Sequence, residues 1–464
     1  MALNTALEHT TVSAGNRGVW TFSFWLKKSG IADEQTFYSE KSDANDFFKF
    51  SFTSADKLEI QNKDNGSTNF LYISNRVFRD CTSWTHFVFA YDKAQAAAGD
   101  RFRVWINGVA ETNWSSSTLP AQNNTDIAVS KGSSGTYNPR VGKYDASTYY
   151  NGYMAQVVKV DGQSLAASNF GSTDSDTGEW KPKGDGEIRT AVNAGSGFGT
   201  TGWLLNFSDA SNLGYDYKTA DRSSNLDFTL GGNGRQTQDN PSNNFATFNP
   251  LFVPTGSNSN YGVNFEHGNN FVQPTSPDAN GSRTYSCSTL AMPTSGGKFY
   301  AEFKLIANDV VAQIGIVGTQ QATERFHYNN VVADCLNGII YDMAADRVRG
   351  NSTDLATGLT HPSDGQIIGI GVDMDNKKFY AYLDGTLLNS GGSSFSFFTE
   401  PYAYFFLGDG TTSGYDIIAC NFGNGYFKET AITSEGTNAS GLGKFEFDIQ
   451  PTDAVALCTK GLNE

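Results

Sequence analysis

Apolar residues recur at every second position along most of the chain, and the period of an amphipathic helix is almost absent. In TFSFWLKK, Phe22, Phe24 and Leu26 share one face, while Thr21, Ser23 and Lys27 share the other. FFKFSF puts Phe48, Phe50 and Phe52 together, and HFVFAYD does the same with Phe87, Phe89 and Tyr91. RFRVWINGV sets Phe102, Val104 and Ile106 against Arg101, Arg103 and Trp105. The second half repeats the habit in KFYAEFKLI (Phe299, Ala301, Phe303, Leu305), QIIGIGVDM, KKFYAYL and DIIACNF. A strand so patterned turns one side to a core and the other to water or a neighbouring layer. Asn65-Gly66, Asn107-Gly108, Asp161-Gly162 and Asp384-Gly385 punctuate the runs, and such pairs tolerate the positive φ of tight hairpin turns. One short piece, SLAASNF (164–170), reads as helical. The pattern predicts an all-β protein with two β-sandwich (jelly-roll) domains in tandem.

Composition divides the chain where the pattern does not. All seven Trp lie between Trp20 and Trp203. Residues 1–230 carry 21 basic and 25 acidic groups, a net of -4, and residues 231–464 carry 12 and 23, a net of -11. The stretch GGNGRQTQDNPSNN (231–244) is polar and reads as a boundary. The expected organisation is a jelly roll over 1–230, a linker over 231–255, a second sandwich over 256–450 and a tail over 451–464.

Other classes fall away. With 13% aromatic and 17% charged residues the chain is not disordered. Its longest apolar runs, such as 310–317, are far shorter than a membrane span, so no membrane insertion is expected. A net charge of -15 argues against nucleic acid as a partner. The opening MALNTALEHT lacks a basic segment followed by an apolar one, so no secretory leader is expected. Cys81, Cys287, Cys335, Cys420 and Cys458 form no CxxC pair and read as buried, reduced thiols.

The words WTFSFWLKKSG (20–30), SWTHFVFAYD (83–92), RFRVWINGV (101–109) and NGYMAQVVKVDGQSL (151–165), in that order, resemble the concanavalin A-like, laminin-G-like jelly rolls. GQIIGIGVDMDNKKFYAYLDGTLL (365–388) resembles the central hairpin of SPRY domains, with GKFYAEFKLI, IGIVG, YAYFFLGDG and CNFG in that family's order. The words DNPSNNFATFNPL (239–251) and PTDAVALCTKGLNE (451–464) resemble segments flanking these domains in virion proteins of marine tailed phages. That resemblance implies a non-enzymatic virion protein, assembled in the host cytoplasm, of the tail-fibre or appendage type. It would recognise a host-surface glycan or dock to other virion proteins, as a homo-oligomer; trimers are common in such fibres. The alternative is a capsid decoration or head-fibre protein with a purely architectural role, and a polysaccharide-degrading enzyme comes third.

Candidate chemistry is thin. A jelly-roll glucanase needs paired carboxylates, about 5 Å apart in retaining enzymes. The associated pattern is E-x-D-x-x-E; the nearest segment, Glu446-Phe447-Asp448-Ile449-Gln450-Pro451, lacks the second Glu. His9, His86, His267, His327 and His361 are scattered, with no HExxH and no G-x-S-x-G. His86 falls on the outward alternation of its strand and reads as a surface or satisfied polar contact. No catalytic residue is expected. No cofactor is required; calcium is the candidate metal, since jelly rolls of this type bind it at loop carboxylates. Its oxygen ligands would come from Asp43, Asn45 and Asp46, or from Asp174, Asp176 and Glu179. Asp373 and Asp375 read as turn residues. Sugar-stacking candidates are Trp114, Tyr137, Tyr149, Tyr150 and Trp180, whose small polar neighbours suggest exposure. The SPRY resemblance adds loop residues Arg325, His327, Tyr328 and Arg347.

Overall fold

The structure is a computed structural model that describes residues 4–10, 13–132, 136–223, 226–252, 263–274, 284–318, 337–396, 398–409 and 415–463. It divides into two compact units, Met1–Gln236 and Thr237–Glu464.

Among the described residues, unit 1 is built on an eight-stranded and a six-stranded sheet. The first runs, in spatial order, Trp114–Thr118, Ser67–Val77, Lys57–Asp64, Phe47–Phe52, Gln35–Lys41, Asn138–Val141, Ala6–Glu8 and Thr229–Gly231. The second runs Trp203–Leu205, Gly152–Asp161, Val19–Lys28, Thr85–Asp92, Phe102–Ile106 and Val109–Glu111. The alternation sets the register: Trp20, Phe22 and Phe24 lie opposite Tyr91, Phe89 and Phe87. Across the sandwich Phe50 of the first sheet stacks on Phe89 of the second, ring centroids 4.2 Å apart. These rings fill a core closed by Trp203, Tyr38 and Phe48.

A further layer covers the six-stranded sheet from outside. Val88, Val158, Val160 and Leu204 occupy the outward parity of their strands, yet they are buried against Phe170, Ile188, Val192 and Phe198. Ile188 and Val192 come from an α-helix, Asp185–Asn193, which the alternation did not disclose. Its apolar stripe is only these two residues, one turn apart, too short to stand out. The Glu187 carboxylate accepts the N–H of Gly184 at 2.9 Å and so closes its first turn. The expected helix at 164–170 is one 3₁₀ turn, Ala167–Asn169. The Asx-Gly pairs at 65–66, 107–108 and 384–385 have both residues at positive φ, as their hairpins require. Asp161-Gly162 differs: only Gly162 has positive φ, and Asp161 uses its carboxylate to accept the N–H groups of Asn16 and Thr201 at 2.6 and 3.0 Å.

Unit 2 is a second sandwich. One sheet runs Val263–Glu266, Phe271–Pro274, Asp416–Asn421, Lys298–Asn308, Ile367–Asp373, Lys378–Leu383 and Thr386–Leu387. The other runs Thr284–Cys287, Tyr402–Asp409, Ala312–Gly318, Gly338–Asp342, Arg347–Gly350 and Thr353–Thr357. Phe299, Phe303, Ile314, Ile316, Ile368, Ile370, Phe405 and Leu407 fill the space between them. The glycines spaced along IIGIGVD have a packing reason: a Cβ at Gly371 would lie 2.2 Å from the Gln450 carbonyl oxygen. Segment 239–251, expected within a linker, is part of this unit. Phe245 bridges to Cys458, the Ala246 N–H donates to the Leu457 carbonyl at 2.9 Å, and Phe248 is fully buried. The expected tail is likewise structural, with Val455–Ala456 pairing in parallel with Lys298–Asn308. Both segments carry apolar residues within polar stretches, and burying those residues draws the chain in.

Candidate functional site

The covering layer on the six-stranded sheet leaves the outer face of the eight-stranded sheet as the polar face of unit 1. Phe48, Phe50 and Phe52 point inward, so Phe47, Lys49 and Ser51 point outward; Leu58 and Ile60 point inward, so Glu59 and Gln61 point outward. Lys49 Nζ lies 2.8 Å from Glu34 Oε1 and 2.8 Å from Glu59 Oε2, and the Ser51 hydroxyl donates to Glu59 at 3.0 Å. Burial alone would lower the Lys49 pKa, but Glu59 and Glu34 outweigh it and hold it above the usual lysine value. Beside this network the Tyr144 ring stands 3.8 Å from Lys41 Nζ and edge-on to Phe47 at 5.2 Å. At one side Glu8 takes both Arg140 and Lys143, which hold its carboxyl below the usual range against the opposing effect of burial.

Of the aromatic candidates, Tyr137 and Tyr150 are buried rather than exposed, each 7% accessible. Tyr137 lies under the Lys131 ammonium, 4.7 Å from its ring centroid. Tyr150 packs edge-on to Phe37, and burial pushes its hydroxyl pKa up. Trp114 is half-buried, edge-on to Tyr72 at 4.9 Å, and Tyr149 is half-buried beside Lys143 in a short bridge. Trp180 is half-buried too; its indole N–H donates to His86 Nδ1 at 2.9 Å. Small polar neighbours in sequence therefore misled the reading, because exposure is set by what folds over the ring.

Of the two expectations for His86, a surface residue or a satisfied polar contact, the structure gives the second. The residue does sit on the outward parity, but that face is covered and the side chain is fully buried, stacked on Trp25 at 4.5 Å. An indole N–H can only donate, so Nδ1 carries no hydrogen and Nε2–H donates to Ser23 Oγ at 2.8 Å. Burial brings the His86 pKa down to about 3, so the ring is neutral at ordinary pH.

The acidic loops fasten themselves. Asp43 Oδ1 accepts the N–H groups of Asn45 and Asp46 at 2.7 and 3.0 Å, and Lys131 Nζ bridges Asp46 and Asp64 at 3.4 and 3.3 Å. Asp174 accepts the N–H groups of Asp176 and Thr177, and Lys181 Nζ lies 3.0 Å from Asp174 and 3.7 Å from Glu179. A lysine thus stands at each cluster where calcium was expected, and among the described residues no three His, Cys, Asp or Glu side chains converge as a metal site. In unit 2 Arg347 pairs with Asp342 at 3.0 Å and Asp354 at 3.2 Å, fastening its strand to both neighbours. Arg325, His327, Tyr328 and Cys335 lie outside the described residues. Cys81, Cys287, Cys420 and Cys458 are buried free thiols. Glu446 and Asp448 hold their own loop, Asp448 accepting the Thr437 N–H at 2.6 Å and Glu446 accepting the Thr433 N–H at 2.7 Å.

Among the buried charges that sequence reading missed is an ion pair in the core of unit 1. Glu40 and Lys159 sit on the core-facing parity of their strands and pair at 2.8 Å, each side chain 2% exposed. Glu40 also accepts the Tyr38 hydroxyl at 2.5 Å and the Ser130 N–H at 2.7 Å. The signal was present: a charge on the inward phase of an apolar strand, in TFYSEK and again in QVVKVD. Beside the pair is a cavity of about 70 Å³, lined by His9, Pro139, Thr201, Trp203 and Leu226 among others.

No curated protein matches the chain in sequence. Among solved structures, the SPRY domain of human HERC1 is similar at 11% identity and a TM-score of 0.27, covering 34% of this chain and 91% of that one. Domain 4 of AbnA, a GH43 extracellular arabinanase from Geobacillus stearothermophilus, is similar at 16% identity and a TM-score of 0.25, covering 34% of this chain and 66% of that one. The CBM40 of Ruminococcus gnavus IT-sialidase is similar at 13% identity and a TM-score of 0.25, covering 35% and 94%. Residues 4–168, within unit 1, match the family model of the Concanavalin A-like lectin/glucanases superfamily, and unit 1 accordingly has a concanavalin A-like fold.

Proposed function

We propose that the chain is a non-enzymatic recognition protein that takes a glycan on the outer face of the eight-stranded sheet of unit 1. The observation that supports this most is the half-buried Tyr144 ring, edge-on to Phe47 and 3.8 Å from the Lys41 ammonium, beside a network of paired charges. An aromatic ring offers the apolar face of a pyranose a stacking surface, while flanking polar groups supply hydrogen bonds. The carboxylates Glu34 and Glu59 share one ammonium, an arrangement suited to holding a surface in shape. The setting we propose is a phage virion, as a tail-fibre or appendage subunit and homo-oligomer touching other virion proteins. That setting rests on the resemblance of the segments at 239–251 and 451–464.

Two experiments test the reading. The purified chain, applied to an array of bacterial envelope glycans, retains a subset of them, and Tyr144→Ala loses that retention at an unchanged melting temperature. Retention of no glycan, or undiminished retention by Tyr144→Ala, overturns the glycan reading; reducing ends released from any array member overturn the non-enzymatic one. Mass spectrometry of purified particles detects the chain if the virion setting holds, and its absence removes that setting. A chain present in the capsid but unable to adsorb to host cells is the architectural protein of the alternative reading.

A further inference from the structure

The ion pair in unit 1 leaves a chemical demand that the described residues do not meet. An ammonium has three donors. Among the described residues Lys159 has one oxygen, Glu40 Oε1 at 2.8 Å, and one aromatic face, Phe22, with its centroid 5.6 Å away. A buried cation short of acceptors is costly, and the cavity beside it is where an acceptor can enter. Its volume is about 70 Å³, and one water needs only roughly 10–15 Å³.

The lining narrows the class of occupant. Pro139, Trp203 and Leu226 make apolar walls, while Lys159, Thr201 and Ser130 bring polar groups. Glu40 already neutralises the ammonium, so an anionic ligand would face a carboxylate as close as the cation. A small neutral group with one carbonyl oxygen and one methyl suits both kinds of wall. Exposed Ser13 and Thr200 mark the side open to solvent, with half-buried His9 and Leu226 beside them. His9 Nδ1 lies 2.8 Å from the Asp227 carbonyl, which can only accept, so Nδ1 carries the hydrogen. On a neutral ring Nε2 is then an acceptor, suited to an amide N–H.

We propose that this cavity is a subsite for the acetamido group of an N-acetylated sugar. The carbonyl oxygen faces Lys159, the methyl group packs on Trp203 and Leu226, and the amide N–H turns towards His9. The source of the sugar rests on the glycan reading above; the cavity chemistry does not, because the site is distinct from Tyr144.

The test is titration of the intact chain with methyl glycosides of N-acetylglucosamine and N-acetylgalactosamine, of the matching free amines, and of an O-acetylated sugar, followed by saturation-transfer NMR on the acetyl methyl. At least one N-acetyl compound is expected to bind saturably and at least about tenfold tighter than its amine, with the O-acetyl ester between them. Leu226→Trp, which fills the mouth, removes the binding, whereas Tyr144→Ala leaves it intact. Should Leu226→Trp fail to fold, Thr200→Trp on the exposed rim closes the same opening. No saturable binding of any acetylated compound, as for a cavity holding water only, overturns the proposal, and so do equal binding of amine and amide or undiminished binding by both blocking variants. Loss of polymer retention in Tyr144→Ala with acetyl binding kept leaves both readings standing. Acetyl binding by a chain that retains no polymer separates the two, sinking the array result alone.

Discussion

The indole N–H of Trp180 donates to Nδ1 of His86 at 2.9 Å, and through that bond the hairpin Gly171–Thr173/Trp180–Pro182 is pinned to the outer face of the six-stranded sheet. The two rings lie nearly parallel, their centroids 6.0 Å apart, and Trp25 stacks on the imidazole at 4.5 Å. A ring with the sequence setting of a sugar platform thus serves as an internal fastening.

This fastening sets a pH response. His86 has a folded pKa of about 3 against about 6.5 in an unfolded chain. Between those values the unfolded chain binds a proton that the folded chain does not, so stability falls as pH drops from about 6.5 towards 3. Glu8, Asp56 and Asp145, whose carboxyls are held low, act in the same direction. Urea midpoints for unit 1 are therefore expected to decline over that range, and His86→Gln is expected to decline less steeply. A variant with the wild-type slope would show that His86 titrates normally.

Trp180→Phe keeps a ring and removes the donor. It leaves the buried Nδ1 without a partner, at a cost of about 1–3 kcal/mol read from chemical denaturation. Gly108→Ala should cost at least as much. Its φ is +77°, and a Cβ there would stand 2.5 Å from the Trp180 ring.

One group of unit 2 responds to pH with the opposite sign. Glu302 is fully buried, accepts the N–H groups of Glu446 and Phe447 at 2.9 Å each, and receives the Asn421 amide at 3.2 Å. Burial nonetheless outweighs these bonds and pushes its pKa up to about 7, from an ordinary 4.5. The folded chain then holds a proton that the unfolded chain has released, so this contribution is complete below about 4.5 and is lost as pH rises to about 7. Subtracting the stability profile of Glu302→Gln from that of the wild type isolates it: the difference should fall across that window and be flat above it.

Removing one member of the Glu40–Lys159 pair strands the other in the core. Lys159→Met and Glu40→Gln should each cost about 3–5 kcal/mol, Lys159→Met being the milder because the Tyr38 hydroxyl and the Ser130 N–H still donate to the carboxylate left behind. The double variant should lose less than the sum of the two, and strict additivity would show that the pair is not coupled.

Much of the architecture was legible because a strand's side chains alternate with a period of two. Phe22, Phe24, Phe50 and Phe89 all point where their parity places them, and the Asx-Gly pairs at 65–66, 107–108 and 384–385 turn as their chemistry requires. The helix at Asp185–Asn193 was hidden because two apolar residues suffice to seat it on a layer that alternation does not describe. The polar face around Tyr144 was hidden for a different reason. Lys49, Glu34 and Glu59 are ordinary surface residues until three separate segments bring them together.

Alternation alone determined that this chain makes strands, which side of each strand is apolar, and that both halves are sandwiches, because those follow from local backbone geometry. Which outward faces stay outward was decided by tertiary structure. The layer over the six-stranded sheet buries His86, while the outer face of the eight-stranded sheet carries paired charges, Lys49 9% and Glu59 14% exposed. That choice depends on which distant segments supply enough apolar area to cover a face, and it is what turns equivalent sequence patterns into an apolar fastening in one place and a network of paired charges in another.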